Sequence, residues 1–349
     1  MDPSNPSALL AARRFSAAFW LRAACLGLTM LSHAAPVQAL DLQGHRGARG
    51  LAPENTLPAF ERALAIGVHT LELDVGISAD DVPVIHHDPA LNADTTRDAQ
   101  GNFLTSKGPA LRALSFAQLQ TYDVGRLKPG TPYAARFPTA QAIDGTRIPA
   151  LRDLFARLAQ LEKTDARYRA IRFNIETKLS PLAPDETAPP ERFVELMLRD
   201  IRAAQLEQRV TLQSFDWRTL QLVQRLAPQI PTVYLSAQQP GFGTIDAAKP
   251  EVASPWTAGY KLQDHGSVPA MVKAAGGKVW SPYFADVTPA LLAQAQQLGL
   301  LVVVWTVNEA ADIERMLALG VDGIISDYPD RVRLAMQARG MALPPALGP

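Results

Sequence analysis

The sequence has almost no cysteine. Its single cysteine, Cys25, lies within the first 39 residues, so the rest of the chain has no thiol for disulfides, thiolate chemistry or metal binding. A metal would therefore need oxygen or imidazole ligands. Excess charge is absent as well, because 34 Lys and Arg residues balance 34 Asp and Glu residues. This balance offers no basic surface for nucleic acid or for an anionic membrane, and it directs the search for a partner to a local small-molecule site.

Long hydrophobic runs are also missing, and the longest apolar stretch lies close to the N-terminus. Arg13-Arg14 precede an apolar segment over residues 15–31, which Arg22 interrupts, and small residues lead up to Ala39. This arrangement is typical of an export signal, so we expect residues 1–39 to be a signal peptide and the protein to be periplasmic or secreted. The alternative is a signal anchor that stays uncut, but the segment is shorter than the ~20 residues that span a bilayer. We therefore expect no stable membrane span after cleavage.

The remaining sequence alternates between short β-type runs and amphipathic helical patterns. The β-type runs are expected at 41–45, 70–75, 82–86, 170–176, 209–213, 232–236, 278–281, 300–307 and 323–326. The helical patterns lie at 57–66, 192–204, 217–226, 289–298 and 310–319. Strands that alternate with helices in this way predict a (β/α)8 TIM-like barrel.

The alternation has two irregularities. It contains one β-type run too many for an eight-stranded barrel, and the short gap between 70–75 and 82–86 means that either a crossover helix is missing or 82–86 folds back as a hairpin. The segment from about 89 to 149 has turn signals and no clean strand, which predicts an insertion over the top of the barrel after the third β-type run. We expect the barrel to span 40–335 and a flexible tail to span 336–349.

Three acidic residues lie near the ends of expected strands. Glu72 and Asp74 are two residues apart, which places both carboxylates on one face of a strand, and Glu176 ends a later apolar run. Carboxylates that point into an apolar interior are costly unless they are paired, and a hard divalent cation is a common partner. Pairing with Arg46 or Lys178 is the alternative.

Two histidines, His45 and His87, follow the first and third β-type runs, where the ends of barrel strands converge. Imidazole titrates nearest to neutral pH, so these residues are the candidate general acid and base. A structural role is the alternative for a lone histidine, but two histidines at strand ends, each beside a charged residue, favour catalysis.

Positive and neutral donors accompany these residues. Arg46 and Lys178 place fixed positive charge near the same rim, and Asn55 adds a neutral donor. Such a set suits an anion, most simply a phosphate group. Alternatively, Asn55 or Thr56 caps the helix that begins at Leu57.

Seven short motifs appear in the order found in the glycerophosphodiester phosphodiesterase family, which this chain resembles from about Gln43 to Arg331. The motifs are His45-Arg46-Gly47, Pro53-Glu54-Asn55-Thr56, Glu72-Leu73-Asp74-Val75, His87-Asp88-Pro89, Glu176-Thr177-Lys178, Trp305-Thr306-Val307-Asn308 and Gly323-Ile324-Ile325-Ser326-Asp327. The chain looks like an exported, periplasmic-type member of the family.

The resemblance implies metal-dependent hydrolysis of glycerophosphodiesters, such as glycerophosphocholine, to sn-glycerol 3-phosphate and an alcohol. The metal would be Ca²⁺, as is common in exported members, or Mg²⁺. The implied roles are acid and base for His45 and His87, metal ligands for Glu72, Asp74 and Glu176, and substrate contacts for Arg46, Asn55, Lys178, Trp305 and Asn308. Glu54 either touches the metal or orients Arg46, and packing is the alternative role for Trp305. The nucleophile is water or the 2-hydroxyl of the glycerol.

Two other functions are compatible with parts of the sequence. A phospholipase D- or C-like enzyme of the same barrel type would act on lysophospholipid or sphingolipid and would need an apolar rim, but the insertion has no continuous apolar patch. A non-catalytic exported binding protein would lack a catalytic histidine or a metal ligand, and none is missing.

Overall fold

The computed structural model describes residues 40–348, so the expected signal peptide at 1–39 lies outside the described residues. The strands are β1 (Asp41–Gly44), β2 (Thr70–Ile77), β3 (Pro83–Ile85), β4 (Arg172–Thr177), β5 (Val210–Ser214), β6 (Thr232–Ser236), β7 (Val279–Pro282), β8 (Leu301–Val304) and β9 (Gly323–Ser326). The α-helices are α1 (Leu57–Ile66), α2 (Phe116–Leu119), α3 (Pro132–Ala135), α4 (Leu151–Thr164), α5 (Pro190–Ala203), α6 (Trp217–Leu226), α7 (Leu262–His265), α8 (Val268–Ala274), α9 (Pro289–Gln297), α10 (Ala310–Leu319) and α11 (Pro329–Ala338). Among residues 40–348, no helix combines the length and the apolar character needed to cross a membrane.

Eight parallel strands close into a barrel within this part of the chain. They pair in the order β1, β2, β4, β5, β6, β7, β8 and β9, and β9 pairs again with β1. At the closure, Gln43 of β1 is in register with Thr70 of β2 on one side and with Ile325 of β9 on the other. The short β3 pairs antiparallel with β2, so the β-type run at 82–86 is the hairpin. The predicted (β/α)8 barrel is therefore confirmed.

The first helix shows how local sequence sets the boundaries of an element. The Oγ1 atom of Thr56 accepts a hydrogen bond from the backbone N–H of Ala59 at 3.3 Å, and Pro58 occupies the first turn. Gly67 ends the helix with φ at 92°, a conformation that favours glycine. Thr56, and not Asn55, is therefore the helix cap.

The main hydrophobic core lies between the barrel and the helices that surround it. Leu71 and Leu73 of β2, Phe193 of α5 and Trp217 of α6 are all at most 1% exposed. Because side chains alternate along a strand, the residues between Leu71, Leu73 and their neighbours point into the barrel. This alternation aims Glu72 and Asp74 at the barrel interior.

The segment at 89–149 contributes no strand to the barrel and contains the short helices α2 and α3. It has a small core of its own, in which Leu91, Leu111 and Ile148 are buried. Its side chains Tyr133 and Arg136 line the cavity at the carboxyl ends of the barrel strands. This segment therefore contributes to the face of the barrel that carries the candidate site.

The end of the chain differs from the expected flexible tail at 336–349. Helix α11 continues to Ala338, so the expected boundary falls inside a helix. The backbone N–H of Leu347 donates to the carbonyl of Leu64 at 2.8 Å, and Leu347 is 2% exposed. Arg333 also donates to the carbonyl of Pro344 at 2.6 Å. The described part of the tail packs against α1 and α11 because its leucines cover an apolar edge of the core.

Candidate active site

A large cavity opens at the carboxyl ends of the barrel strands, where the sequence predicts the site. Its volume is about 900 Å³. The predicted site residues in its lining are His45, Arg46, Glu72, His87, Glu176, Lys178, Trp305 and Asn308. Glu54, Asn55 and Asp74 lie behind this lining and are bonded to it or to one another.

Glu72, Asp74 and Glu176 form a compact group of buried carboxylates. Each offers an oxygen, and these oxygens all lie within 4.8 Å of one another. Strand β2 supplies Glu72 and Asp74 from alternate positions, and the register of β2 with β4 pairs Asp74 with Glu176. We refer to these three residues as the acidic triad.

The charges of the acidic triad fit a divalent cation. Burial, reinforced by the nearby charge of Asp74, raises the pKa of Glu72 well above its ordinary value. Burial also raises the pKa of Glu176 to about 7. Although burial opposes ionisation of Asp74, Arg46 and Lys178 hold its pKa well below the ordinary value. A hard cation with oxygen ligands would take the place of protons on Glu72 and Glu176, so this donor set suits Ca²⁺ or Mg²⁺.

Two cations, the buried Arg46 and the partly buried Lys178, lie beside the triad and pair with it. The Nε atom of Arg46 lies 3.1 Å from Oδ2 of Asp74, and its Nη1 donates to Oε1 of Glu54 at 2.7 Å. The Nζ atom of Lys178 donates to Oε1 of Glu176 at 2.9 Å and lies 3.7 Å from Oδ1 of Asp74. Grouping of the acids and pairing with bases, which the sequence presents as alternatives, therefore occur together. Glu54 lies outside the triad and orients Arg46.

Asn55 is bonded to Asp74, and its predicted contact with phosphate stays a prediction. It is 3% exposed, its Nδ2 donates to Oδ2 of Asp74 at 2.9 Å, and its Oδ1 accepts from the backbone N–H of Asp74 at 3.2 Å. Both Asn55 and Arg46 adopt left-handed backbone conformations, with φ at 56° and 50°. This conformation turns the Asn55 side chain toward β2, where it positions Asp74.

His45 follows the first barrel strand, β1, and is held by a carboxylate that follows the last barrel strand, β9. Its Nδ1 lies 2.6 Å from Oδ1 of Asp327, which Arg49 also binds at 2.8 and 3.0 Å. Although burial opposes ionisation of Asp327, Arg49 and His45 hold its pKa below the ordinary value, so this carboxylate accepts and Nδ1 of His45 donates. The Nε2 atom of His45 is left 3.9 Å from Oε2 of Glu72.

His87, which follows β3, is likewise held by a carboxylate. Its Nδ1 lies 2.6 Å from Oδ1 of Asp88, and Asn92 donates to the other oxygen of Asp88 at 2.7 Å. Burial, reinforced by Arg46 and Lys178, lowers the pKa of His87 to about 4. Burial and the charge of Arg49 likewise lower the pKa of His45 to about 4. Both imidazoles are therefore neutral at neutral pH in this structure.

The motif after β8 contributes to two parts of the site. Trp305 lines the cavity, packs on the apolar residues inside the barrel and donates from Nε1 to the carbonyl of Ser281 at 2.9 Å. Asn308 donates to Oδ2 of Asp327 at 2.7 Å and accepts from its backbone N–H at 3.0 Å. Asn308 thus positions Asp327, and a direct contact of Asn308 or Trp305 with substrate stays a prediction.

Sequence reasoning did not assign roles to Asp327, Arg49 and Tyr133. Asp327 directly follows β9, so the rule that selected polar residues at strand ends would have found it. Tyr133 lies in the insertion, and its hydroxyl donates to Oε2 of Glu54. No local pattern marks Arg49 or Tyr133, because their partners Asp327 and Glu54 lie far away in the sequence.

Comparisons with known proteins agree with this geometry. The model of the glycerophosphoryl diester phosphodiesterase family matches residues 45–331. A solved glycerophosphoryl diester phosphodiesterase-type structure from Silicibacter pomeroyi DSS-3 is 38% identical, with a TM-score of 0.76 over 87% of this chain and 95% of that chain. A glycerophosphodiester phosphodiesterase of Bacillus altitudinis is 29% identical over 82% of this chain and 94% of that protein.

A more distant structure shares the fold. This phosphodiesterase of Oleispira antarctica, solved in complex with the product sn-glycerol-3-phosphate, has a TM-score of 0.59 at 20% identity, over 86% of this chain and 97% of that chain. The family match covers nearly all of the described residues and includes both histidines and the acidic triad. The chain is therefore an enzyme that belongs to the glycerophosphoryl diester phosphodiesterase family.

Proposed function

We propose that this enzyme hydrolyses small glycerophosphodiesters, such as glycerophosphocholine, to sn-glycerol 3-phosphate and an alcohol. One observation carries the proposal: His45 and His87 each bind a carboxylate through Nδ1, and both line the cavity together with Glu72 and Glu176 of the acidic triad. Two imidazoles anchored in this way can act as base and acid on a group bound between them.

The phosphate group of the diester binds beside Arg46 and Lys178, which both line the cavity. Their pairing with Glu54, Asp74 and Glu176 holds the positive charges in place before substrate arrives. A divalent cation held by the acidic triad would stabilise the negative charge that develops on the phosphate oxygens.

The two histidines transfer the protons of the reaction. One Nε2 atom accepts the proton of the oxygen that attacks phosphorus. The other histidine first takes up a proton from solvent on Nε2, which the negative charge of the bound phosphate favours, and then donates it to the departing alcohol. The proton accepted by the first histidine returns to solvent at the end of the cycle. One P–O bond forms and the P–O bond to the alcohol breaks, with net consumption of one water molecule. Asp327 and Asp88 hold the Nδ1 protons, which leaves Nε2 of each ring for these transfers.

We further propose Ca²⁺ as the cation, with Mg²⁺ as the alternative, and a periplasmic or secreted location. The three carboxylates of the triad support a hard cation, and Ca²⁺ sites built from carboxylate oxygens are common in extracellular proteins. The charged, apolar and small-residue pattern of residues 1–39 supports export. Fractionation of cells that express the full-length chain tests the location, and recovery in the cytosol alone would contradict it.

The decisive experiment measures release of glycerol 3-phosphate from glycerophosphocholine by the purified protein, expressed from the full-length chain. We expect release with Ca²⁺, weaker release with Mg²⁺ and none with EDTA. His45→Ala should abolish release, whereas the matched variant His265→Ala, which alters a histidine outside the cavity lining, should retain it. Undiminished release in EDTA would exclude the metal, and no release with any cation would overturn the proposed reaction.

A further inference from the structure

The orientation of the Arg46 guanidinium depends on one residue, Glu54. Nη1 of Arg46 donates to Oε1 of Glu54 at 2.7 Å. The Nε atom lies 3.1 Å from Oδ2 of Asp74, but it is buried without a hydrogen-bond partner, because the two groups are not aligned for a hydrogen bond. Within residues 40–348, no other group accepts a hydrogen bond from this guanidinium. Glu54 therefore sets the direction in which Arg46 faces the phosphate site.

Glu54 in turn is anchored by the insertion. Its Oε2 accepts a hydrogen bond from the hydroxyl of Tyr133, which lies in α3. Although burial opposes ionisation of Glu54, Arg46 and Arg49 hold its pKa below the ordinary value, so Glu54 is a carboxylate and the hydroxyl is the donor. Burial and the charge of Glu54 raise the pKa of Tyr133, so the hydroxyl keeps its proton. Among the side chains that the structure describes, only Arg46 and Tyr133 bind this carboxylate.

Residues 133–141 of the insertion also hold the loop between β1 and α1. Oγ1 of Thr139 donates to the carbonyl of Gly50 at 2.8 Å, and the backbone N–H of Gln141 donates to the carbonyl of Leu51 at 3.1 Å. The loop needs such support, because two of its residues other than glycine adopt left-handed backbone conformations, which persist where surrounding contacts hold them. The insertion therefore supports the loop that carries the arginine of the phosphate site.

We propose that Tyr133 is a positioning residue, which acts through Glu54 to hold Arg46 in the orientation that binds the phosphate group of the substrate. This inference rests on the proposed function, in which Arg46 binds that phosphate. The alternative is that Tyr133 only packs within the insertion, where its ring meets Phe137 edge to face with the centroids 5.4 Å apart. Removal of the hydroxyl distinguishes the two roles, because the ring contact survives this change and the hydrogen bond to Glu54 does not.

The test measures binding of sn-glycerol 3-phosphate by isothermal titration calorimetry, with the purified protein expressed from the full-length chain and with Ca²⁺ present. Tyr133→Phe should weaken binding by about tenfold, because Glu54 loses a charge-assisted hydrogen bond and holds Arg46 less firmly. Tyr122→Phe is the matched control and should bind like the unmodified protein, because Tyr122 packs on the core of the insertion and lies outside the cavity lining. Circular dichroism should show both variants folded, since each keeps its aromatic ring.

A double-mutant cycle separates positioning from packing. Glu54→Ala should weaken binding by at least as much as Tyr133→Phe, and adding Tyr133→Phe to it should cause no further loss, because the hydroxyl acts only through Glu54. In hydrolysis of glycerophosphocholine, Tyr133→Phe should raise KM by about tenfold and lower kcat by less than about twofold, because Arg46 binds phosphate in both the substrate complex and the transition state. Losses of binding that simply add, or a lower kcat with unchanged KM, would overturn the inference.

The outcomes separate this inference from the proposed function. Unchanged binding and unchanged KM in Tyr133→Phe, with the unmodified enzyme active on glycerophosphocholine, would overturn the inference alone. Binding of glycerol 3-phosphate that depends on Tyr133 and Glu54, without any release from glycerophosphocholine, would overturn the proposed reaction and support the positioning of Arg46. Neither binding nor release by the unmodified protein would overturn both.

Discussion

The two halves of the barrel interior are built from opposite kinds of side chain, although the strands around them follow the same parallel pattern. In the half formed by β6 to β9, apolar residues pack on one another, namely Val233, Val279, Val303 and Ile325. In the half formed by β1, β2, β4 and β5, polar residues are joined by hydrogen bonds, namely Gln43, Glu72, Asn174 and Gln213. We call these the apolar half and the polar half.

The polar half is a connected series of hydrogen bonds that ends at Glu72 of the acidic triad. Asn174 donates from Nδ2 to Oε1 of Gln43 at 3.0 Å and to Oε1 of Gln213 at 2.9 Å. Gln213 in turn donates to Oε1 of Glu72 at 2.7 Å. Hydrogen bonds constrain direction, whereas apolar contacts mainly constrain volume. The comparison indicates that the polar half orients the candidate metal site, whereas the apolar half supports Trp305 in the cavity lining.

The largest effect should come from the histidines above the polar half. His87→Ala should lower kcat for glycerophosphocholine by about 10³-fold, equivalent to roughly 4 kcal/mol, because a proton-transfer group is lost. Steady-state kinetics give the rate, and the thermal midpoint should change by only a few degrees because His87 lies at the cavity surface. A rate near that of the unmodified enzyme would remove His87 from the mechanism.

The second largest effect should come from metal binding, which should raise the free energy of unfolding. Ca²⁺ at about one hundred times its dissociation constant should add about 3 kcal/mol to the free energy of unfolding, because it binds the folded triad and not the unfolded chain. Differential scanning calorimetry with Ca²⁺ and with EDTA measures the shift. Glu72→Gln removes a ligand and should reduce the shift strongly. If Ca²⁺ and Mg²⁺ both left the thermal midpoint unchanged, the triad would not be a metal site.

Replacing a residue of the polar half with an apolar one should lower the free energy of unfolding by about 2 kcal/mol. Asn174→Leu removes the donor to Gln43 and Gln213 and leaves buried amide oxygens without partners. Because Gln213 holds Glu72, the variant should also bind Ca²⁺ several-fold more weakly. Chemical denaturation and calorimetric titration measure the two effects. Unchanged Ca²⁺ affinity would show that the polar half stabilises the barrel without orienting the triad.

The smallest effect should come from replacing a residue of the apolar half with a polar one. This change should lower the free energy of unfolding and leave activity unchanged. Val279→Thr keeps the shape of the side chain but buries a hydroxyl in the apolar half, at a cost of about 1 kcal/mol. Denaturant midpoints measure this cost, while kcat and Ca²⁺ affinity should stay unchanged. A loss of Ca²⁺ affinity comparable to that of Asn174→Leu would mean that the two halves do not differ in function.

The sequence predicted much of the site because a simple rule connects it to the fold. Polar residues that follow barrel strands meet at one face, and this rule correctly brought together His45, Glu72 and Glu176. The same rule applied to β9 would have added Asp327, which was not assigned a role. The rule does not reach Asn55, which lies on the loop that opens α1 and whose left-handed backbone conformation sets the direction of its side chain. Its contact with phosphate stays a prediction.

By itself, the sequence determined the order of strands and helices, the barrel class and the family, because hydrophobic periodicity, helix caps and short motifs are local properties. Only the tertiary structure decided which partner each charged group has, such as Asp327 for His45 and Glu54 for Arg46. It also decided that Phe242 and Leu182, from separate loops, reach one cavity. Such contacts depend on strand register and on the paths of distant loops, which no local pattern specifies.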